Sequence, residues 1–276
     1  MRPSPEISQK YKQKICEVAK AFDAFCNEHN LRYFAIGGTA IGALRHKGII
    51  PWDDDIDVVM PVSYTHLRAH LSMAKMCDAS TSYISSFSQH VMLGAFIDIF
   101  PIDGCPGRTE EERISFFNNY LKLRHVGEAI GNWYSLRDLL SAIYHRKWDE
   151  ALNQLRSHVY HLFGKKNDIF TKCDNILKAN PFEESEYVAY FSTWRGPKVI
   201  SPKEWFEDYY YAPFEDFQIR LPKGIDKYLT HGYGDYMTPP PPEMIKDDDH
   251  GFVYLNLNKR VSWQEAKQEY KKLTTK

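Results

Sequence analysis

The feature that most constrains this chain is a stretch from Tyr33 to Met60 that combines a glycine pair, a basic triplet and four carboxylates. Leu31 to Ile36 is apolar and aromatic, which predicts a buried strand that the pair Gly37–Gly38 ends. Thr39 to Leu44 has the composition of a first helical turn. This strand, turn and helix N-terminus predict an anion site, because bare backbone lets a phosphate approach and the free N–H groups point at it.

The second half of the stretch supplies negative charge. The segment from Ile56 to Val59 indicates a strand, so Asp55 and Asp57 should project from the same face, two residues apart. Two carboxylates that close repel each other unless a cation lies between them, and hard oxygen ligands suit Mg²⁺ or Mn²⁺. The alternative is that Asp53 to Asp55 is a solvated acidic loop. The glycine pair upstream favours the metal site.

A further aspartate interrupts the apolar, strand-like segment from Ala95 to Asp103. Burying an uncompensated carboxylate is costly, so Asp98 should have a cation or a dedicated partner. If this strand lies beside the acidic strand, Asp98 completes a three-carboxylate site with Asp55 and Asp57. The alternative is an edge strand in which Asp98 faces water.

Two groups of basic or metal-binding side chains leave more than one interpretation open. Arg45 and Lys47 belong to a basic triplet that would suit a nucleotide's phosphates, and the planar fork of Arg45 matches phosphate oxygens best. The alternative is a surface loop with ordinary charges. His66 and His70 have a spacing that can bind zinc, but no third ligand is evident, which favours a packing or surface role.

Composition sets the class of protein. Hydrophobic residues make up 43% of the 276 residues, which is typical of a globular chain, and the net charge of -1 gives no global attraction to nucleic acid. The five cysteines are scattered without a CxxC spacing, which favours reduced thiols in the cytoplasm. The N-terminus has no apolar signal core, and no apolar run is long enough to predict a membrane span.

The chain divides by pattern into three regions of one domain. We expect a catalytic core over residues 1–108, a helical region packed on it over 109–180, and strands, a proline-rich segment and a closing helix over 181–276 that complete the core. Within these regions, Pro61 to Ala79 is predicted to be helical, and Ser201 is predicted to cap a short helix that Pro202 opens.

Three blocks of the sequence resemble the LicD family of phosphotransferases, within the nucleotidyltransferase-fold superfamily and distantly related to the fukutin-related transferases. They are Gly37-Gly38-Thr39 through Pro51-Trp-Asp-Asp-Asp-Ile-Asp57, Phe96-Ile-Asp-Ile-Phe-Pro-Ile-Asp103-Gly104, and Tyr228-Leu-Thr-His-Gly-Tyr-Gly-Asp-Tyr-Met-Thr-Pro-Pro-Pro. The resemblance implies an α+β fold, a nucleotidyltransferase-like mixed sheet flanked by helices with a helical insertion. Two departures are a short interval between Asp57 and Asp98 and an atypical segment from Pro61 to His70, which is either a shortened substrate loop or a foreign stretch.

The resemblance also implies an activity, a donor and a cofactor. Phosphocholine, or a similar head group, would move from CDP-choline or a related donor to a hydroxyl of a glycan or glycolipid precursor of lipopolysaccharide, teichoic acid or capsule. The protein would have no transmembrane segment and would work in the cytoplasm or peripherally at the inner face of the membrane. Asp55, Asp57 and Asp98 would hold Mg²⁺ or Mn²⁺, while Gly38 and Thr39 would contact the diphosphate.

The chemistry expected is in-line attack at phosphorus, with Asp98 acting as a metal ligand or as the base for the acceptor hydroxyl. A choline ammonium should lie against an aromatic face, for which Trp52, Trp133 and Trp194 are candidates. The tract from Asp247 to His250 is either a solvated tail or a lid over the site. The residues of the tract, taken by themselves, favour the tail. The predicted substrate- and phosphate-binding residues are Gly37, Gly38, Thr39, Arg45, Lys47, Trp52, Asp103 and His250.

Two other functions stay open from the sequence. The first keeps the chemistry and changes the donor, making the chain a nucleotidyltransferase that moves NMP from an NTP and releases pyrophosphate. The second is a non-catalytic nucleotide- or glycan-binding module, against which the complete set of acidic residues argues.

Overall fold

A computed structural model describes residues 4–61, 74–85, 92–131, 136–163, 167–191, 195–245 and 251–274. The α-helices of these residues are α1 (Pro5–Glu28), α2 (Gly37–Ile41), α3 (Glu110–Gly131), α4 (Leu136–Tyr144), α5 (Trp148–Phe163), α6 (Asn167–Lys178), α7 (Ile225–Tyr233) and α8 (Trp263–Thr274). A π-turn over Gly42–His46 follows α2. No helix among the described residues is long and apolar enough to cross a membrane.

The strands of the described residues form one larger sheet and two ribbons. They are β1 (Phe34–Ala35), β2 (Asp57–Pro61), β3 (Ala74–Cys77), β4 (Ser82–Ser85), β5 (Phe96–Gly104), β6 (Tyr187–Tyr190), β7 (Ser201–Pro202), β8 (Tyr209–Phe214), β9 (Phe217–Pro222) and β10 (Phe252–Asn256). The ribbons are β4–β10 and the hairpin β8–β9, both antiparallel. The predicted α+β fold, a sheet flanked by helices, is confirmed.

The chain separates into two compact units, and the first carries the strands that hold the acidic stretch. It comprises residues 1–60, 74–100 and 204–276. In it β1 pairs antiparallel with β2, β2 lies next to the start of β5, and β3 pairs antiparallel with β5. Helix α1 begins at Pro5, capped by the Ser4 hydroxyl that accepts from the Ile7 N–H at 3.3 Å, and it buries one apolar face.

The second unit comprises residues 61–73 and 101–203. It contains the end of β5, which pairs antiparallel with β6, and β7, which pairs with β6. The helices α3 to α6 also belong to it, and Phe191 packs between the Phe117 and Tyr120 rings of α3 at centroid distances of 5.3 and 4.7 Å. The predicted division into three regions stays a prediction.

Two local predictions are wrong. The part of Pro61 to Ala79 that the structure describes contains a strand, β3, rather than a helix, because Ala74 to Cys77 pairs with β5 along its backbone. Ser201 lies in β7 opposite Val188, so it does not cap a helix, and the 3-10 turn that follows begins at Lys203. In both cases pairing with a distant strand overrides the local preference. His66 and His70 lie outside the described residues.

Candidate active site

The glycine turn connects β1 directly to α2. Gly37 has φ of 55°, a left-handed conformation that side chains other than glycine rarely adopt. The Thr39 hydroxyl accepts a hydrogen bond from the Asp57 N–H at 2.7 Å, and the Ile36 N–H donates to the Asp57 carbonyl at 3.2 Å. These bonds fix the start of the acidic strand β2 against the first residues of α2.

Side-chain oxygens lie directly over both glycines of the turn. A Cβ added to Gly38 would lie 2.4 Å from Asp53 Oδ2. A Cβ added to Gly37 would lie 3.3 Å from the Tyr233 hydroxyl and 3.9 Å from Asp57 Oδ2. Gly37 is therefore required by its backbone conformation, whereas a side chain at Gly38 would displace the end of the Asp53 side chain.

The acidic loop Asp53–Asp55 precedes β2 and concentrates negative charge. One oxygen from each of its three carboxylates lies within 4.8 Å of the others. The pKa of Asp55 is raised well above its ordinary value, first by burial and then by the charges of Asp57 and Asp53. Because β2 begins at Asp57, the position of Asp55 is set by the loop rather than by strand alternation.

The donor set of this loop fits a hard divalent cation. All of its side-chain donors are carboxylate oxygens, the ligands that Mg²⁺ and Mn²⁺ prefer, and no thiol or imidazole belongs to the cluster found among the described residues. The pKa of Asp55 is raised first by burial and then by repulsion from Asp57 and Asp53, and a bound cation would relieve that repulsion.

Asp98 lies on β5, which has strands on both sides. Its N–H donates to the Ile56 carbonyl at 2.9 Å, and its carboxylate forms an ion pair with Lys75 of the facing strand β3. The side chain is 13% exposed, so Asp98 does not sit on an edge strand facing water. The Lys75 ammonium also lies 3.9 Å from the centre of the Phe96 ring.

The buried hydroxyl of Tyr11 on α1 lies within the electrostatic reach of both acidic elements. Its pKa is raised well above the ordinary value, first by burial and then by the nearby charges of Tyr83, Asp54, Asp98 and Asp55. The carboxylates of the loop and of β5 therefore both act on Tyr11. The close carboxylate group found among the described residues consists of Asp53, Asp54 and Asp55, so it contains Asp55 of the predicted set but neither Asp57 nor Asp98. The predicted three-carboxylate site of Asp55, Asp57 and Asp98 stays a prediction.

The predicted basic residues have different surroundings. Arg45 donates from Nη1 to the Tyr236 carbonyl at 2.7 Å and from Nε to the His46 ring at 2.9 Å, and its guanidinium carbon lies 5.8 Å from the centre of the Trp52 ring. Burial lowers the pKa of Arg45. Lys47 is exposed, has φ of 61°, and donates to the Leu44 carbonyl at 3.1 Å.

The structure does not place the remaining predicted residues beside the acidic loop. Asp103 belongs to the second unit, where it is buried on β5 opposite Ala189. His250 lies outside the described residues, as do Trp133 and Trp194. Neither the lid nor the tail interpretation of Asp247 to His250 is therefore tested.

Lys12 and Tyr233 are site residues that reasoning from the sequence missed. Lys12 of α1 donates to the carbonyls of Pro51 and Ile50 at 2.8 and 3.4 Å, immediately before the acidic loop. Burial lowers its pKa, and the charges of Asp53 and Asp54 oppose that shift. A lysine on an amphipathic helix carries no signal for this role. Tyr233 lies in the third matching block, which could have identified it.

Comparison with known proteins gives one family and several relatives. Residues 30–117 match the family model described as "LicD/FKTN/FKRP, nucleotidyltransferase domain". The chain is 30% identical over 270 residues to the lipopolysaccharide cholinephosphotransferase LicD of Haemophilus influenzae (strain Rd), which covers 86% of this chain and 94% of the relative.

Two shorter matches are to uncharacterized proteins. One, from Rickettsia prowazekii, is 30% identical over 95 residues, which cover 34% of this chain and 35% of the relative. The other, from Rickettsia typhi, is 38% identical over 70 residues, which cover 25% of this chain and 23% of the relative.

Proposed function

The chain belongs to the LicD family, and from that premise we propose that it moves phosphocholine from CDP-choline to a hydroxyl of a lipopolysaccharide precursor. Family membership makes it a transferase of phosphate-containing groups. The observation that carries the finer proposal is the position of the acidic loop Asp53–Asp55 over the glycine turn, with Asp53 Oδ2 above Gly38. The acidic loop as the proposed cation site and the glycine turn as the proposed diphosphate site would then be direct neighbours.

The glycine turn would hold the diphosphate of the donor. The glycines would let a phosphate approach the backbone once the Asp53 side chain moves aside, and no side chain caps the first N–H groups of α2. Donors fixed in this way favour the charge that develops on the leaving nucleotide, because they need no reorganisation during the reaction. The Thr39 hydroxyl is already engaged by the Asp57 N–H, so its part would be to hold the turn against β2.

Asp55, Asp57 and Asp98 would hold Mg²⁺ or Mn²⁺, and Asp53 and Asp54 bring further carboxylate oxygens to within 4.8 Å of Asp55. When bound, the ion would supply neutralising charge to the diphosphate oxygens. Lys12 would position the loop by holding the carbonyls of Ile50 and Pro51.

Asp98 has two proposed roles, as a metal ligand or as the base that takes the proton from the acceptor hydroxyl. Its ion pair with Lys75 keeps the carboxylate charged and oriented, which either role requires. Asp98→Asn separates them. Loss of Mn²⁺ affinity, measured by calorimetry, identifies a ligand. Retained affinity with loss of turnover identifies a base.

The choline ammonium is proposed to lie against Trp52. The Arg45 guanidinium already lies 5.8 Å from the centre of this ring, and His46 meets the ring edge-on at 5.8 Å, so the face and edge of Trp52 are held in place. Quaternary ammonium groups bind such faces by cation–π attraction. The glycan hydroxyl that accepts phosphocholine is assigned to lipopolysaccharide through the named relative.

The test is phosphorus NMR of the protein with Mg²⁺, CDP-choline and a lipopolysaccharide-precursor fraction. We expect CMP and a new phosphodiester signal to appear together. Asp57→Asn should reduce the rate by about 10³-fold, because a carboxylate at the metal contributes several kcal/mol to the transition state. Asp208→Asn, at a carboxylate exposed away from the loop, is the matched control and should leave the rate unchanged.

Other outcomes redirect the assignment. Pyrophosphate released from an NTP, with CDP-choline left intact, would assign the site to nucleotidyl transfer. CDP-choline that binds tightly without turnover on any acceptor would indicate a binding module.

A further inference from the structure

Helices α4 and α5 of the second unit pack against each other, and both expose large apolar side chains. We define the α4–α5 apolar surface by Leu140, Ile143 and Tyr144 of α4 with Trp148, Leu152 and Leu155 of α5, all of which are exposed. Tyr144 is 82% exposed and Trp148 65%, the two highest values of this set. Single exposed apolar residues are ordinary, but a contiguous group on neighbouring helices marks an interaction surface.

The pattern along α5 is the reverse of that of a helix whose outer face meets water. Trp148, Leu152, Leu155 and Val159 recur at steps of four, three and four, so they form one stripe, and that stripe is exposed. The polar residues Gln154 and Ser157 are buried instead. The Gln154 Oε1 atom has no hydrogen-bond partner among the described residues, which makes its burial costly. The exposed stripe therefore favours an apolar environment outside the protein.

The tip between the two helices indicates which environment this is. It reads Tyr144-His145-Arg146-Lys147-Trp148, and all five residues are exposed. Tyrosine and tryptophan favour the boundary between hydrocarbon and water, and the arginine and lysine between them can reach lipid phosphates while their stems stay in apolar surroundings. Aromatic side chains on either side of two basic residues match the boundary of an anionic bilayer, where both kinds of side chain have a partner.

We propose that the α4–α5 apolar surface lies in the headgroup boundary of an anionic lipid bilayer and holds the protein there peripherally. In the sequence Asp149 and Glu150 follow the tip and offset its positive charge, so apolar contact would supply most of the binding and anionic lipid would strengthen it. This inference goes beyond the proposed transfer reaction, although both concern a lipid-linked acceptor.

Co-sedimentation of the full chain with vesicles tests the proposal. We expect binding to phosphatidylethanolamine vesicles that contain phosphatidylglycerol, and weaker binding to vesicles of phosphatidylcholine alone. Tyr144→Ser/Trp148→Ser should lower the partition coefficient by about tenfold or more on both kinds of vesicle. Arg146→Glu/Lys147→Glu should lower it by about tenfold on anionic vesicles only. Met244→Ser, which removes an exposed apolar side chain elsewhere, is the matched control and should bind as the wild type does.

Three results would overturn the proposal. They are no binding of the wild type to anionic vesicles, equal binding of the wild type and both double variants, and a dimer in solution that Tyr144→Ser/Trp148→Ser converts to a monomer. The last would assign the surface to a second copy of the chain. Because these variants lie outside the candidate active site, CMP release with a delipidated acceptor should stay within about twofold of wild type. That measurement separates failure of the membrane proposal from failure of the transferase proposal.

Discussion

Two polar clusters of the first unit differ in whether opposite or like charges lie next to each other. The first is the Arg220 cluster, which consists of Asp23, Asn27, Tyr33, Tyr211 and Arg220. The Arg220 side chain is buried, and it donates to the Leu31 carbonyl at 2.8 Å, to Asn27 Oδ1 at 2.6 Å and to the Tyr211 hydroxyl at 3.1 Å. Its Nε also lies 3.3 Å from Asp23 Oδ1, which accepts from the Tyr33 hydroxyl at 2.9 Å. The positive charge of Arg220 is therefore balanced by the Asp23 carboxylate within the protein.

The second cluster, the acidic loop Asp53–Asp55, places like charges side by side. Its oxygens lie within 4.8 Å of one another, and Asp57 adds a further carboxylate that helps to raise the pKa of Asp55. The Arg220 cluster joins the β8–β9 hairpin to α1, and all of its charges serve stability. The acidic loop instead keeps a repulsion that costs stability, as is expected where an external cation completes the site.

The largest expected effect that separates the two clusters is on stability. Arg220→Met should lower the free energy of unfolding by about 2–4 kcal/mol, because it leaves the half-buried Asp23 carboxylate without its cation and removes the donors to the Leu31 carbonyl and Asn27 Oδ1. Denaturant unfolding measures the loss. The turnover per folded molecule should stay within about twofold of wild type.

Lys223→Met is the control for that change. Lys223 forms an ion pair with Asp208 in which the two side chains are 64% and 57% exposed, so its loss should leave the unfolding midpoint within error of the wild-type value. If Arg220→Met lost activity under conditions in which it is fully folded, the Arg220 cluster would have a part in the reaction and would not be purely structural.

Gly38→Ala should affect activity rather than stability. The new Cβ would meet Asp53 Oδ2 at 2.4 Å, so the Asp53 side chain must move away from the glycine turn. We expect kcat/KM to fall by about 10- to 100-fold, because phosphate loses close backbone contact. The melting temperature should stay level or rise, since alanine favours a helix more than glycine does.

Gly232→Ala in α7 is the matched control for the glycine turn. Nothing lies within 4 Å of a Cβ at this position, so activity should be unchanged. The substitution raises helix propensity by the same amount as Gly38→Ala does. If the two variants had equal kcat/KM, the position of Asp53 over Gly38 would have no part in the reaction.

The smallest expected effect concerns the pH dependence of stability in the chelated protein. Because the pKa of Asp55 is raised in the folded state, the folded protein keeps a proton that the unfolded chain releases above about pH 4. This contribution to stability is complete below about pH 4 and is lost as the pH rises through the raised pKa. Asp55→Asn should therefore melt about 2–4 °C higher than the wild type at pH 7 in EDTA.

The same pair of proteins tests the role of the cation. The difference in melting temperature between wild type and Asp55→Asn should vanish near pH 4. Excess Mg²⁺ should raise the melting temperature of the wild type but not that of the variant. A variant that melts below the wild type in EDTA at pH 7 would mean that the acidic loop carries no repulsion.

Much of the fold followed from local patterns in the sequence. The apolar residues of α1 recur at steps of three and four and bury one face, and such periodicity is visible without any tertiary contact. The strand β3 was not predictable in this way. Ala74 to Cys77 is a strand because β5 offers it a backbone ladder, and pairing of that kind depends on a distant segment.

In the candidate site, too, some features follow from local sequence and others depend on contacts between distant segments. The sequence by itself determined the chemical groups: a glycine pair after a strand, carboxylates in and just before the next strand, and Asp98 inside an apolar strand, because residue types and local periodicity fix these. Only the tertiary structure decided that Lys12 holds the loop, that Tyr233 covers Gly37 and that Lys75 pairs with Asp98. Those contacts join segments far apart in the chain, and no local pattern encodes a contact that packing alone creates.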